Sequence, residues 1–395
     1  MRVEDGKKLV RRAKHISETK LPELADTFLK VPLEYYRSEE YAKRELDIFA
    51  TVPLTVAHSS QIANSYDYMV HSVLDRSLLI TRNSEGKARI FLNSCRHRGA
   101  EPAQGCGNKR RFTCPYHAWS YNNDGKLVSL PLDDRYEGMN YDEMGLVELP
   151  SEERHGLIWV ILTPGLEIDV AKHLGELDDE FSTFGWEDFI YMGQPRDTTL
   201  ESNWKGTAEG FLESWHVPFV HANTFNKYHT SIAFDLAGYD QIGRHIRWFD
   251  LSVATEGAGD FDVDGLDEDN FDVRNYLNVI YWIYPNLTLV RTSSLQGGGT
   301  IFINYYPGKT PLDCNLRVGY FSPGPLNNPE KIANEEAMSS ESVRAVVEED
   351  AVILASCGRG LRSGHEYALI GRNEKGVQLL VETLAKSIGC EVIKV

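Results

Sequence analysis

The sequence predicts an α+β protein of three parts: a helical segment over residues 1–45, a small all-β domain over 46–165, and a larger mixed domain over 166–395. Three observations carry this expectation. Residues 1–45 are charged, with Leu and Tyr at irregular helical spacing. Residues 46–165 read as short strand-forming runs broken by hairpin signals. Beyond 166, helical patterns alternate with long apolar strands and no internal repeat is visible, which makes an α+β second domain the simplest reading.

Taken in order, the first segment has a breaker at Pro32. In the second part, Tyr68 to Arg82 and Ala88 to Leu92 are rich in strand formers around Asn83-Ser-Glu-Gly86. Asp124-Gly125 is a strong hairpin turn, and the apolar run Leu157 to Leu162 closes the domain before Pro164-Gly165. In the third part the long strands are Asn278 to Tyr284, Leu287 to Arg291 and Thr300 to Tyr306.

Composition bounds the function. The chain has 395 residues, enough for two domains with real cores, and 42% hydrophobic with 25% charged residues is ordinary for a globular protein. The N-terminus carries charges throughout and no apolar signal region, and no apolar run approaches a membrane span, so a cytoplasmic location is expected. The formal net charge of −17 argues against nucleic acid as a partner. It would suit a basic patch on a redox partner. The six Cys, at 95, 106, 114, 314, 357 and 390, do not resemble a secreted disulfide framework.

Four residues dominate the chemistry: Cys95 and His97 in Cys95-Arg-His97-Arg-Gly99, and Cys114 and His117 in Cys114-Pro-Tyr-His117, with sixteen residues between His97 and Cys114. Two thiolates and two imidazoles at loop spacing are metal ligands. A tetrahedral zinc site is one reading. The other is a Rieske [2Fe-2S] centre, with the Cys on one iron and the His on the other. Each half supplies one Cys and then one His, and each carries turn residues (Arg98-Gly99, Pro115), which favours the cluster held between two loop tips.

These motifs, with Ala118-Trp119 after the second, resemble the signature of Rieske-type non-haem iron oxygenases, the large subunits of aromatic-ring hydroxylases and related demethylases. The family usually has Gly where Ala118 stands. Respiratory Rieske proteins carry an extra disulfide-linked Cys in each loop; here Cys106 is present but position 116 is Tyr, which fits the oxygenase type. The resemblance implies a helix-grip-like antiparallel sheet in the catalytic domain, with the 1–45 segment packed on it.

A second constellation is Glu209, Glu213, His216 and His221. On a helix, at about 100° per residue, Glu209, Glu213 and His216 share one face. Pro218 breaks the helix and lets His221 turn back toward His216. Two imidazoles beside a carboxylate suggest two thirds of a 2-His-1-carboxylate triad for Fe(II).

The third ligand is expected at Asp350. In a helical plot of 343–354 it sits amid Val343, Val346, Val347, Ile353 and Leu354, where a carboxylate is expensive unless a charge compensates it. Glu349 is the reserve. The resemblance also implies a late carboxylate ligand of this kind.

It further implies a head-to-tail homotrimer in which an acid three residues before the first His ligand, here Glu213, bridges a cluster His to an iron-ligating His across subunits. Most relatives have Asp there; Glu resembles the branch acting on quaternary ammonium compounds, and Glu209 is a possible stand-in. The implied activity is that of a terminal oxygenase taking electrons from NAD(P)H through a flavin-dependent reductase, with or without a ferredoxin, and using O2 to hydroxylate a small organic, aromatic substrate. A β subunit is compatible with this reading. The alternatives are an oxidative N- or O-demethylase or quaternary-ammonium monooxygenase, and, in another class, an electron carrier or zinc protein without mononuclear iron. Trp215, Phe219 and Phe225 are candidate pocket walls. The acidic run opening Asp260-Phe-Asp262-Val-Asp264-Gly265 is read as a solvated loop, since Phe271 stands where a calcium loop needs Glu.

Overall fold

The computed structural model describes residues 1–222, 236–252, 262–266, 271–291 and 298–395. The chain divides into two compact units, Phe49–His173 and Met1–Ile48 with Leu174–Val395. Among the described residues no helix is long and apolar enough to cross a membrane.

The smaller unit is antiparallel throughout. Its five-stranded sheet runs in the order Glu148–Leu149, Ala88–Leu92, Arg76–Arg82, Asp67–Val73, Cys106–Asn108. Two three-stranded sheets complete it, one of them Arg111–Thr113, Ser120–Asn122 and Leu127–Ser129. The expected run from Tyr68 to Arg82 is two strands, because Leu74 and Asp75 both take positive φ (50° and 60°) and close a tight hairpin. Asp75 suits such a turn but Leu74 does not, and without glycine the local signal is weak. The turn at Gly125 is different: φ is +72°, and a Cβ there would stand 2.4 Å from the Phe91 ring. Only glycine fits.

The larger unit is built on a seven-stranded antiparallel sheet in the order Phe189–Leu200, Cys314–Pro323, Thr300–Pro307, Leu287–Arg291, Leu277–Ile283, His245–Leu251, Gly238–Ile242. Both faces are covered, so the Thr300–Pro307 strand is buried along its whole length. Phe181 and Trp186 pack against Tyr281 and Phe321, and Phe211 packs against Tyr305.

The N-terminal segment is not purely helical. Between the Val3–Thr19 and Glu39–Thr51 helices, Leu29–Pro32 is the middle strand of a small sheet, paired with Tyr367–Ile370 and Ile393–Lys394. Pro32 ends that strand, where its missing N–H is tolerated.

A polar core ties this segment to the Trp204–Glu209 helix. Lys205 is paired with Glu45, both nearly inaccessible, and Trp204 Nε1 donates to Glu45 at 2.6 Å. The Lys205 ammonium also lies 4.7 Å from the Tyr35 ring centroid. Tyr36 donates its hydroxyl proton to Glu209 at 3.0 Å, while the other Glu209 oxygen is buried with no hydrogen-bond partner. Burial pushes the Glu209 carboxyl up to about 7, against the opposing pull of Tyr36 and Lys205. An acid whose folded pKa is raised binds its proton more tightly when folded, so stability is lost as pH rises from the ordinary carboxyl range to 7. Glu209→Gln, which cannot ionise, should therefore gain on the wild type by on the order of 3 kcal/mol between pH 4 and pH 8 in urea denaturation. Parallel pH profiles for the two proteins would count against a neutral Glu209.

Candidate metal centres

The two cluster loops share one construction. The Gly99 N–H donates to the Cys95 carbonyl at 2.8 Å and the Ala118 N–H to the Cys114 carbonyl at 2.9 Å. Each closing residue, four beyond its cysteine, has positive φ: Gly99 +80° and Ala118 +57°. Glycine adopts this conformation freely, whereas alanine pays roughly 1–2 kcal/mol for it. That is the physical reason for Gly at this place in related motifs.

Cys95 and Cys114 are buried in a cluster with Tyr68, Phe91, Phe112, Trp119 and Tyr121. The imidazoles are half-exposed, with His97 stacked on Trp119 and its ring centroid 4.5 Å from that of His117. Nδ1 of both histidines is buried and has no hydrogen-bond partner, as expected of atoms that face a metal. Burial, together with His97 and Arg98, pushes His117 below the ordinary histidine range, toward the neutral form that ligates. Among the described residues, the one group of three or more donors whose ligand atoms lie within 4.8 Å of one another is elsewhere, at His216, His221 and Asp350. Two buried thiols, and two imidazoles whose buried Nδ1 atoms have no partner, are a donor set that fits a two-iron cluster.

Tyr121 adds a bond to this set. Its hydroxyl accepts the Arg96 N–H at 3.0 Å and lies 3.2 Å from Cys95 Sγ, so its own proton is directed to the sulfur. Burial and the Cys95 sulfur raise the phenol above its ordinary value, keeping it a donor. A proton donor stabilises the more electron-rich, reduced state. Tyr121→Phe should lower the midpoint potential, by on the order of tens of millivolts, in a spectroelectrochemical titration. An unchanged potential would remove Tyr121 from that role.

The second centre is assembled from segments far apart in sequence. The Trp204–Glu209 helix ends before the expected helical face is complete, and Val217–Val220, with Pro218 in its first turn, forms a separate short helix. Glu209 and Glu213 therefore do not share a face. Glu209 turns to Tyr36 and is no stand-in. Glu213 instead accepts the His216 backbone N–H at 3.1 Å and is paired with His216 Nδ1. His216 and His221 converge, with ring centroids 5.4 Å apart.

Asp350 Oδ1 lies 2.9 Å from His221 Nε2 and 3.9 Å from His216 Nε2. Glu349, the reserve ligand, is on the other side of the ring, its Oε2 2.7 Å from His221 Nδ1. One imidazole is thus gripped at both nitrogens by consecutive residues. The helix makes this possible by widening to a π-turn over Ala345–Asp350 between Pro329–Arg344 and Ala351–Gly360. The same change of phase explains why Ile353, expected on the buried stripe, is 47% exposed. Gly358 sets the docking distance: a Cβ there would stand 1.8 Å from the Glu201 carbonyl oxygen. This glycine contact, unmarked in the sequence, brings the Asp350 helix onto the start of the histidine segment.

Burial pulls the histidines toward lower pKa, but Glu213, Glu349 and Asp350 outweigh it and both are raised. Three carboxylates around two imidazoles are an excess of negative charge that a divalent cation would balance, and two nitrogens and one carboxylate oxygen fit a facial Fe(II) site. Asp350→Ala should lose mononuclear iron and keep the Rieske spectrum. Glu349→Gln should retain Asp350 but bind that iron roughly 10–100-fold more weakly. Equal iron content in Glu349→Gln and wild type under chelator challenge would show that Glu349 does not support His221.

The other expectations are settled by position. Trp215 and Phe219 are 45% and 76% exposed and do not line a closed pocket; Phe225 lies outside the described residues. In the acidic run, Asp264 pairs with Arg11, and the Leu266 carbonyl accepts from Lys7 at 2.9 Å.

Fold and donor sets together define a Rieske non-haem iron oxygenase, with a [2Fe-2S] cluster and a mononuclear iron. The family model of the ring hydroxylating alpha subunit (catalytic domain) matches residues 188–389, and that of the Rieske [2Fe-2S] domain matches 52–147. The chain belongs to the ring-hydroxylating alpha-subunit family. It is 24% identical to the carnitine monooxygenase oxygenase subunit of Escherichia coli K12, over 84% of each chain. It is 32% identical to the large oxygenase component of the naphthalene 1,2-dioxygenase system of Pseudomonas aeruginosa, over 56% of this chain and 48% of that one. The quaternary ammonium Rieske monooxygenase CntA, solved with L-carnitine, superimposes with a TM-score of 0.75 at 20% identity, covering 93% of this chain and 97% of that one.

Proposed function

We propose that Cys95, His97, Cys114 and His117 hold the [2Fe-2S] cluster, that His216, His221 and Asp350 hold the mononuclear iron, and that the chain monooxygenates a small quaternary ammonium or N-methylated substrate. The observation that carries the site assignment is the gathering of His216, His221 and Asp350 within 4.8 Å. When bound, the cluster supplies single electrons and the iron activates O2, so that one oxygen atom enters a substrate C–H bond and the other leaves as water. The protein's own part is orientation. Glu213 and Glu349 each accept a ring N–H, fixing the tautomer that leaves Nε2 of His216 and His221 free for metal. Asp350 completes the face.

Glu213 has a second role in this reading. His216 keeps a quarter of its side-chain surface accessible, so the Glu213–His216 pair can be met by a cluster histidine of another copy. The exposed Trp215 and Phe219 beside it, and Tyr116 (58% exposed) beside His117, are apolar surfaces that a head-to-tail homotrimer would cover. The protein then works in the cytoplasm with a flavin-dependent NAD(P)H reductase, directly or through a ferredoxin.

Two features support the substrate class. Glu213 stands where the aromatic-ring branch has Asp, and the similarity to the carnitine monooxygenase subunit extends over both units, whereas that to the naphthalene dioxygenase component covers about half of the chain. A second reading, hydroxylation of an aromatic ring, rests on the higher identity within that half. A screen with a surrogate reductase, scored by product, separates them. Carnitine, choline and related methylammonium compounds should give an aldehyde, with release of a tertiary amine where the carbon attacked is bonded to nitrogen, and naphthalene no diol. Glu213→Gln should lower product formation roughly 10–100-fold per mononuclear iron bound, with the Rieske spectrum retained. A diol from the aromatic substrate alone would overturn the substrate class, and full activity of Glu213→Gln would overturn its bridging role.

A further inference from the structure

The cluster-bearing loops carry a charge pattern opposite to the rest of the chain. Residues 94–122 contain five cations, Arg96, Arg98, Lys109, Arg110 and Arg111, against one acid, Glu101, in a protein of net charge −17. All five are exposed. None takes part in an ion pair among the described residues, although Arg82, Arg89 and Arg154 of the same unit pair with Glu153, Glu148 and Glu152. Two are instead laid over aromatic rings, Arg110 4.4 Å from the Tyr66 centroid and Lys109 5.5 Å from that of Tyr68. Lys109 and Arg111 also border a cavity of about 450 Å³ whose apolar lining includes Phe112, Pro102 and Pro115. Neighbouring like charges without counter-charges repel one another, and their common use is to steer and hold a partner of opposite sign.

The position of the patch says which partner. In the reading above, on which this inference rests, electrons leave the cluster from its histidine edge toward another copy's Glu213 and His216. An electron donor must then reach the cluster from elsewhere. Lys109, Arg110 and Arg111 lead into the Arg111–Thr113 strand, and Cys114 follows directly. Pro115, next to Cys114, lines the same cavity as Lys109 and Arg111, so the patch adjoins the second cluster loop.

We propose that Lys109, Arg110 and Arg111, with the adjoining apolar cavity, form the docking surface for an acidic electron-transfer protein, a small ferredoxin with carboxylates around its own redox centre. One electron passes per encounter: the ferredoxin is oxidised by one electron, the cluster is reduced by one, and no bond forms or breaks.

The test uses the intact holoenzyme and an acidic plant-type [2Fe-2S] ferredoxin as the probe. Its Kd is measured by calorimetry at low and high salt, and cluster reduction by stopped-flow absorbance. The variant Lys109→Glu/Arg110→Glu/Arg111→Glu should weaken ferredoxin binding at least about tenfold and flatten its salt dependence. The neutral variant Lys109→Gln/Arg110→Gln/Arg111→Gln should fall between. Reduction by dithionite, the Rieske spectrum, the oligomeric mass and product from a single turnover of chemically pre-reduced enzyme should be unchanged. Unaltered ferredoxin affinity and salt dependence would overturn the proposal. So would unaltered affinity with a fall in oligomeric mass, which would assign the patch to contact between copies. A wild-type protein lacking a Rieske spectrum would instead remove the cluster assignment beneath it.

Discussion

The contact between Asp350 and His221 is the constraint on which the larger unit depends. It joins residues 129 positions apart and puts a buried carboxylate against an imidazole whose other nitrogen is already held by Glu349. Taking such a charge out of water costs several kcal/mol unless it is compensated. The surroundings are shaped to enforce it: the π-turn aims both acids at one ring, Gly358 removes the side chain that would hold the helix away, and Pro218 ends one helical direction so that His221 can return toward His216. These devices work against local propensity, and a divalent ion bound at the convergence would make them consistent.

The two centres solve the same problem at different scales. In the smaller unit, each Cys–His pair rides on a turn closed by its own backbone, so each half is preformed locally and only the two tips need to meet. In the larger unit the donors come from a helix-turn segment and a late helix, and tertiary packing does the positioning. Glutamates behind His216 and His221, and buried unpartnered Nδ1 atoms on His97 and His117, give opposite orientations of the imidazole. Nε2 would be the atom left for a metal at one centre and Nδ1 at the other.

This difference decides what could be read from sequence. The residues proposed to hold the cluster stand out in the sequence because their spacing is itself the geometry of two loops. The gathering of His216, His221 and Asp350 was legible by chemistry, since a carboxylate on an apolar stripe needs a partner, but the helical reasoning was only partly right. A continuous 3.6-residue period put Glu209 beside Glu213 and buried Ile353. The early end of the 204–209 helix and the π-turn changed both. The long sheet strands were visible as apolar runs, whereas the Leu74-Asp75 hairpin and the Leu29–Pro32 strand were not. The turn has no glycine and a Leu at its first position, and the strand's partners, at 367–370 and 393–394, are far away in sequence.

The central claim is that this one chain holds a two-iron cluster and a separate mononuclear iron. Iron and acid-labile sulfide analysis of the purified protein tests it most directly. About three irons and two sulfides per chain are expected. Two irons with two sulfides would leave only an electron carrier, and zinc without sulfide would contradict both centres.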